Sequence, residues 1–271
     1  MKVAMGQFAV SREWQKNAQT CISLMAKANA TGADLLVMPE WVLAQDLADP
    51  EGALRAAQPL DGPFVSLLLA ASRENTLTSI MSIHVPTEGR QVKNVLIAIR
   101  EGEIIGHYEK MHLYDAFTLR ESERVVPGNS IPPLIEVAGI KVGLMICYDL
   151  RFPELARRLV VDGAQVLVLP AAWVKGPHKE QHWEVLVTAR ALENTCYLVA
   201  VGECGPRNIG NSMVADPLGV VIARAAEGPG LVFTELDPER ITYARHVLPV
   251  LENRRFARPE LIGNERNPPQ S

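Results

Sequence analysis

With 271 residues, 48% of them hydrophobic, the chain is long enough to bury a substantial core within one large domain. Its net charge of −4 comes from interleaved acids and bases without a basic stripe, which argues against nucleic acid or an anionic membrane surface as partner and for a small molecule. The longest apolar run, Val166–Val174, is far short of the roughly 20 residues that cross a bilayer, Arg12 and Glu13 interrupt any signal-peptide core, and the four cysteines contain no C-x-x-C pair, so a soluble cytoplasmic protein with reduced thiols is expected.

Lys2–Ala9 reads as a strand, Glu13–Ala30 as an amphipathic helix stopped by Gly32, and Leu35–Met38 as a buried strand closed by Pro39 and Glu40. After a loop, Gly62-Pro63 opens a helix to Arg73, and Leu77–Val85 forms the next strand. Asn94–Arg100 and Glu103–Tyr108 flank Glu101-Gly102 as a hairpin, and Lys110 follows directly. From Met111 to Pro133 the pattern dissolves into a connection that contains Glu121; loops of such length inside a compact domain are often functional.

A hairpin through Ala138-Gly139 leads into the apolar strand Val142–Ile146, and Cys147 stands at a sharp elbow before a helix that Pro153 and Glu154 open and Gly163 stops. A thiol near a helix N-terminus gains from unpaired N–H groups, which favours thiolate. A strand at Val166–Leu169, a helix near Glu180–Asn194, strands at Tyr197–Val201, Ser212–Ala215, Gly219–Ala223 and Leu231–Leu236, and a last helix from Pro238 complete the pattern. The polar tail from Pro249 is expected to be an arm, residues 249–271, laid over the body or a partner subunit.

The stretch from Gly32 to Glu40 is echoed by that from Gly163 to Ala171, a pseudo-repeat; if both are corresponding central strands ending at a shared cleft, Glu40 is the member that carries chemistry and Ala171 at the same place is inert. Alternating strands and helices with added hairpins predict an α/β architecture of two mixed sheets packed face to face, each covered by helices.

Taken singly, Glu40 can cap the chain at Trp41, Lys110 can be a solvated strand end, Glu121 a surface charge beside Glu123, and Cys147 a packed core thiol. Together, Met38-Pro39-Glu40, Tyr108-Glu109-Lys110-Met111-His112-Leu113 and Cys147-Tyr148-Asp149-Leu150-Arg151-Phe152-Pro153-Glu154-Leu155 stand in an order and spacing that resembles the nitrilase superfamily of carbon–nitrogen hydrolases. The resemblance covers nearly the whole chain and, through Gly210–Gly219 and Leu248–Val250, is to the Nit-type amidase branch. It implies a four-layer α-β-β-α sandwich with a pseudo-two-fold repeat, one hydrolase domain over 1–271, and a Glu40, Lys110, Cys147 triad with Glu121 as an auxiliary acid.

The chemistry so implied is attack of the Cys147 thiolate on an amide carbonyl, with proton transfer by Glu40 and oxyanion stabilisation by Lys110 and the Tyr148 backbone N–H. No cofactor and no metal is implied, and a homodimer or higher homo-oligomer is. Gln7–Val10, His112–Phe117 and Gly202–Gly205 resemble bacterial members of the branch, which implies hydrolysis of 2-oxoglutaryl-Cys-Gly to 2-oxoglutarate and Cys-Gly. An ω-amidase acting on 2-oxoglutaramate is the near alternative, and a binding or scaffold protein whose catalysis has lapsed is the alternative of another class.

Arg151 is a candidate to hold a substrate carboxylate or to pair with a local acid, and Trp173 to line the pocket or fill the core. His112 is available for a papain-like Cys–His pair, which leaves the Glu and Lys unexplained. His178 and His182 lie four apart but in neither ordering used by zinc peptidases.

Overall fold

The computed structural model describes residues 1–46 and 49–262. In chain order its elements are β1 (Lys2–Gln7), α1 (Trp14–Ala30), β2 (Leu35–Val37), α2 (Pro50–Arg55), α3 (Pro63–Ser72), β3 (Thr78–Pro86), β4 (Val92–Arg100), β5 (Glu103–Glu109), β6 (Ile135–Val137), β7 (Ile140–Leu144), α4 (Pro153–Val161), β8 (Val166–Ala171), α5 (Lys179–Asn194), β9 (Tyr197–Gly202), β10 (Met213–Ala215), β11 (Val221–Arg224), β12 (Gly230–Glu235), α6 (Pro238–Val247) and α7 (Val250–Asn253). Short 3-10 turns sit at Glu121–Glu123 and Cys147–Arg151. Among the described residues no helix is long and apolar enough to cross a membrane.

The strands form two sheets, ordered β12-β1-β2-β3-β4-β5 and β6-β7-β8-β9-β10-β11. Both run antiparallel, parallel, parallel, antiparallel, antiparallel along that order, so the echo between Gly32–Glu40 and Gly163–Ala171 extends to the whole topology. Strand period then sorts the side chains: Val3, Met5, Leu35 and Val37 turn to the core between the sheets, where they join Val142, Leu144, Val166 and Val168. Ala4 and Leu36 turn the other way and pack with Cys21, Leu24, Met25, Phe64 and Leu68 of α1 and α3. Helices α4 and α5 cover the second sheet through Leu155, Leu159, Trp183 and Val187, giving the expected α-β-β-α layering.

Helix boundaries follow the sequence chemistry. Gly62 and Pro63 start α3, and α6 starts on Pro238 after Asp237 accepts the Glu239 N–H at 2.9 Å. Helix α2 lies where a loop was expected; Asp49 caps it by accepting the Gly52 N–H at 3.0 Å and Pro50 sits in its first turn. The strand expected at Gly219–Ala223 begins at Val221, because Asp216 Oδ1 accepts the N–H of both Leu218 and Val220 in a turn closed by Gly219 at φ +77°.

A larger difference surrounds the nucleophile candidate. The apolar run to Ile146 leaves the sheet after Leu144, and the turn Cys147–Arg151 separates the cysteine from α4, which starts only at Pro153. Of the expected C-terminal arm, α7 is helical, and Arg158 of α4 donates to Pro259 O at 2.9 Å and pairs with Glu260 at 3.0 Å. Its last part, residues 263–271, lies outside the described residues.

Candidate active site

Both echoed strands deliver their ends to one place. Glu40 follows β2 and Pro39, and its Oε2 accepts the Ala172 N–H just beyond β8 at 2.8 Å. Its Oε1 accepts from Asn94 Nδ2 on β4 at 2.8 Å and from Lys110 Nζ at 2.9 Å. Lys110 leaves the end of β5, with its N–H on Asn94 O at 2.9 Å and its carbonyl accepting the Gly128 N–H at 2.8 Å. Residue 128 must be glycine for that approach, since a Cβ there would lie 2.2 Å from Glu109 O.

Glu121 closes the cluster from the long connection. Lys110 Nζ donates to Glu121 Oε2 at 2.9 Å and lies 3.1 Å from Oε1, while the Tyr114 N–H donates to Oε2 at 2.6 Å. Lys110 and Glu40 are each 2% exposed and Glu121 9%. Burial alone pushes the Lys110 ammonium down, but Glu121 and Glu40 outweigh it, and its pKa stands well above that of an ordinary lysine. Burial, partly opposed by Lys110, raises the Glu121 carboxyl.

Cys147 opens its turn at φ +42°, a left-handed conformation rare for a residue with a side chain. The turn is pinned by Asp149, which is fully buried. Its Oδ2 accepts the Ile146 N–H at 2.8 Å and the Tyr108 hydroxyl at 2.9 Å, and its Oδ1 lies 2.7 Å from His112 Nδ1. Burial pushes the Cys147 thiol well above its ordinary pKa, and the charge and hydrogen bond of Glu40 add to that against the opposing Lys110. Burial and Glu40 thus work against the thiolate expected from a helix N-terminus, and the helix itself starts only at Pro153, beyond the turn that carries Cys147.

Six of the seven residues singled out in the sequence, Glu40, Lys110, Glu121, Cys147, Tyr148 and Trp173, line one cavity of about 230 Å³. Tyr148 packs edge-on against Tyr114 at 4.9 Å. Trp173 is both lining and core: it is 3% exposed, and its Nε1 donates to Lys179 O at 3.0 Å. Arg151 is not among the lining residues; its guanidinium lies over the Trp173 ring at 4.7 Å. His112, bonded to Asp149, stacks on Phe152 at 3.8 Å. Sequence reasoning missed Asn94, Tyr114 and Lys179. Asn94 was signalled by a polar residue inside an apolar strand, whereas Tyr114 and Lys179 reach the site through contacts that no local pattern encodes.

The family profile described as carbon-nitrogen hydrolase matches residues 2–246. The chain is 53% identical to a deaminated glutathione amidase of Escherichia coli O157:H7 over 97% of its own length and 100% of the relative's, and 37% identical to one of Bos taurus over 98% and 84%. Among solved structures, Saccharomyces cerevisiae Nit3, a member of branch 10 of the nitrilase superfamily, superimposes with a TM-score of 0.83 at 28% identity, covering 94% of this chain and 97% of that one. A catalytic-looking cleft shared between two matched half-folds and a family match over most of the sequence lead to one conclusion: the chain belongs to the carbon-nitrogen hydrolase family and is an amide-hydrolysing enzyme.

Proposed function

We propose that this enzyme hydrolyses deaminated glutathione, releasing 2-oxoglutarate and Cys-Gly through a thioester on Cys147. The observation that carries the chemistry is the buried Lys110 ammonium held between Glu40 and Glu121 beside the Cys147 side chain. The choice of substrate is supported by the 53% identity to the Escherichia coli O157:H7 deaminated glutathione amidase over nearly both full lengths.

Cys147 attacks the amide carbonyl as Glu40 takes the thiol proton, so that no buried thiolate need persist beforehand. Lys110 and the Tyr148 N–H, which a 3-10 turn starting at Cys147 leaves without an intrahelical acceptor, stabilise the oxyanion. Glu40 returns the proton to the nitrogen as the C–N bond breaks and Cys-Gly departs. Water then attacks the thioester, giving a proton to Glu40 that passes back to sulfur as 2-oxoglutarate leaves. Glu121 holds Lys110 in place and balances its charge.

We read the chain as one catalytic domain, because Glu40 and Cys147 come from different halves. The reading extends to a cytoplasmic homodimer. Exposed Val185, Leu192, Val220 and Ile222 on α5 and about β11 support a partner surface, and light scattering of the purified protein tests it.

Cys147→Ala is expected to abolish hydrolysis of deaminated glutathione with thermal unfolding unchanged, and mass spectrometry of the wild type should trap a 2-oxoglutaryl adduct on Cys147. Undiminished turnover by the variant removes the residue from this role. A kcat/KM on 2-oxoglutaramate clearly above that on deaminated glutathione makes the enzyme an ω-amidase, and no hydrolysis of any small amide revives the scaffold reading.

A further inference from the structure

Lys179 is a buried cation that the reaction above does not use. It stands at the first position of α5, is 5% exposed, and lines the same cavity as Cys147. Its ammonium donates to the Tyr114 hydroxyl at 2.6 Å and is ringed by aromatic faces, with Phe117, Tyr114 and Trp173 centroids 4.6, 4.9 and 5.5 Å away. Arg151 stands over the same Trp173 ring at 4.7 Å, and its Nη2 has no hydrogen-bond partner. Among the described residues no carboxylate forms an ion pair with either cation.

The contrast with Lys110 is instructive. Lys110 is the more deeply buried and carries two counter-ions, whereas Lys179 has none among the described residues: burial and then the Arg151 charge depress its pKa. A desolvated ammonium without an anion is costly unless something completes it. Here the missing partner faces the cavity that receives the substrate.

We propose that Lys179 recognises the carboxylate at the acyl end of the substrate, the 2-oxo acid group, with Arg151 adding positive field from behind Trp173. This rests on the reading of the substrate given above and assigns its specificity to one residue. The acyl end is favoured over the Cys-Gly end because the acyl group stays bonded to Cys147 after the amine has left and must be held through both half-reactions. Lys179 is interior, while Arg120 and Arg207, two other cations of the cavity lining, are exposed. The carboxylate replaces water around an ammonium already fixed by Tyr114 and aromatic faces, so little ordering remains to be done on binding.

The test compares wild type, K179M and K179R on deaminated glutathione, 2-oxoglutaramate and pentanamide, an uncharged amide of equal acyl length. It also follows the rise in unfolding temperature produced by 2-oxoglutarate. K179M is expected to lose about 30-fold or more in kcat/KM on both acids, as for truncation of one partner of a buried charge pair, with pentanamide turnover within about three-fold of wild type. The 2-oxoglutarate shift should vanish in K179M and return in part in K179R. Equal losses on all three amides, or acids turned over normally with the shift intact, overturn the assignment. If the wild type turns over neither acid, the substrate reading falls, and the fate of the 2-oxoglutarate shift in K179M still decides for or against Lys179.

Discussion

Asp149 touches no substrate in the proposed reaction, yet the turn that presents Cys147 hangs from it. Asp149→Ala removes the acceptor for the Ile146 N–H, the Tyr108 hydroxyl and the His112 ring at once. Ile146 and Tyr108 are 0% and 2% exposed, so two donors are stranded without water; the His112 side chain is 28% exposed and finds water instead. At about 1–3 kcal/mol for each stranded donor the loss is about 2–6 kcal/mol, a large share of the roughly 5–15 kcal/mol that holds a domain together. For a chain of this size that lowers the unfolding temperature by about 4–24 °C. Because Cys147 is held at φ +42° by this anchor, kcat should fall further than the remaining folded fraction accounts for. Asp149→Asn is the control. Its carbonyl still accepts from Ile146 and Tyr108, and its amide N–H meets His112 Nδ1 in the tautomer that accepts, so stability should stay within about 1.5 kcal/mol of wild type. Calorimetry and kcat/KM on the same preparations read both effects. Equal losses in the two variants, or Asp149→Ala melting within about 2 °C of wild type, refute the anchoring role.

Three further outcomes follow from the cluster. Alkylation of Cys147 by iodoacetamide should have its midpoint above pH 9.0, since burial and Glu40 both raise the thiol; Glu40→Gln removes the charge, so the midpoint moves down while hydrolysis is lost. An unmoved midpoint separates Glu40 from the sulfur. Asn94→Ala removes the neutral donor to Glu40 Oε1, and at about 1.5–3 kcal/mol for a hydrogen bond to a charged group kcat/KM should fall about 10- to 150-fold with deaminated glutathione. Gly128→Ala drives a methyl group into the Glu109 carbonyl and displaces Lys110, costing about 1–3 kcal/mol of stability, read by urea unfolding, with a lowered kcat; a silent substitution shows that the Lys110 backbone tolerates movement.

The ends of strands were legible because chain chemistry punctuates them. Pro39 stops β2 before Glu40, and a hairpin at Glu101-Gly102 fixes where β5 delivers Lys110. The ionisation of Cys147 was not legible, since it depends on burial and on Glu40, more than a hundred residues away in the chain. Proximity to a helix start was the only local signal, and it pointed the wrong way. Helix α2 carried its signal openly in Asp49-Pro50, but six residues give too little periodicity to separate a helix from a loop. Lys179 was invisible for another reason: its meaning lies in having no counter-ion among the described residues, and an absence among spatial neighbours has no counterpart in sequence order.

The repeat explains why the site is assembled from unlike parts. Val3 pairs with Leu35 across β1 and β2 as Val142 pairs with Val166 across β7 and β8. Counting on from those registers sets Glu40 opposite Ala171 and Cys147 opposite Phe8, so at these two strand ends a reactive group in one half matches an inert side chain in the other. Ala171 is itself a structural partner of Glu40, whose N–H lies 3.5 Å from Ala171 O, whereas Phe8 packs in the separate core of the first half. The N–H of Ala172, next to Ala171, holds Glu40 Oε2, and Phe8, 5% exposed, packs in the core beneath the first sheet. A symmetric ancestor with a carboxylate at both β2 and β8 ends would bury two like charges where one now meets a backbone donor, and that repulsion gives a physical reason for the two halves to differ at these positions.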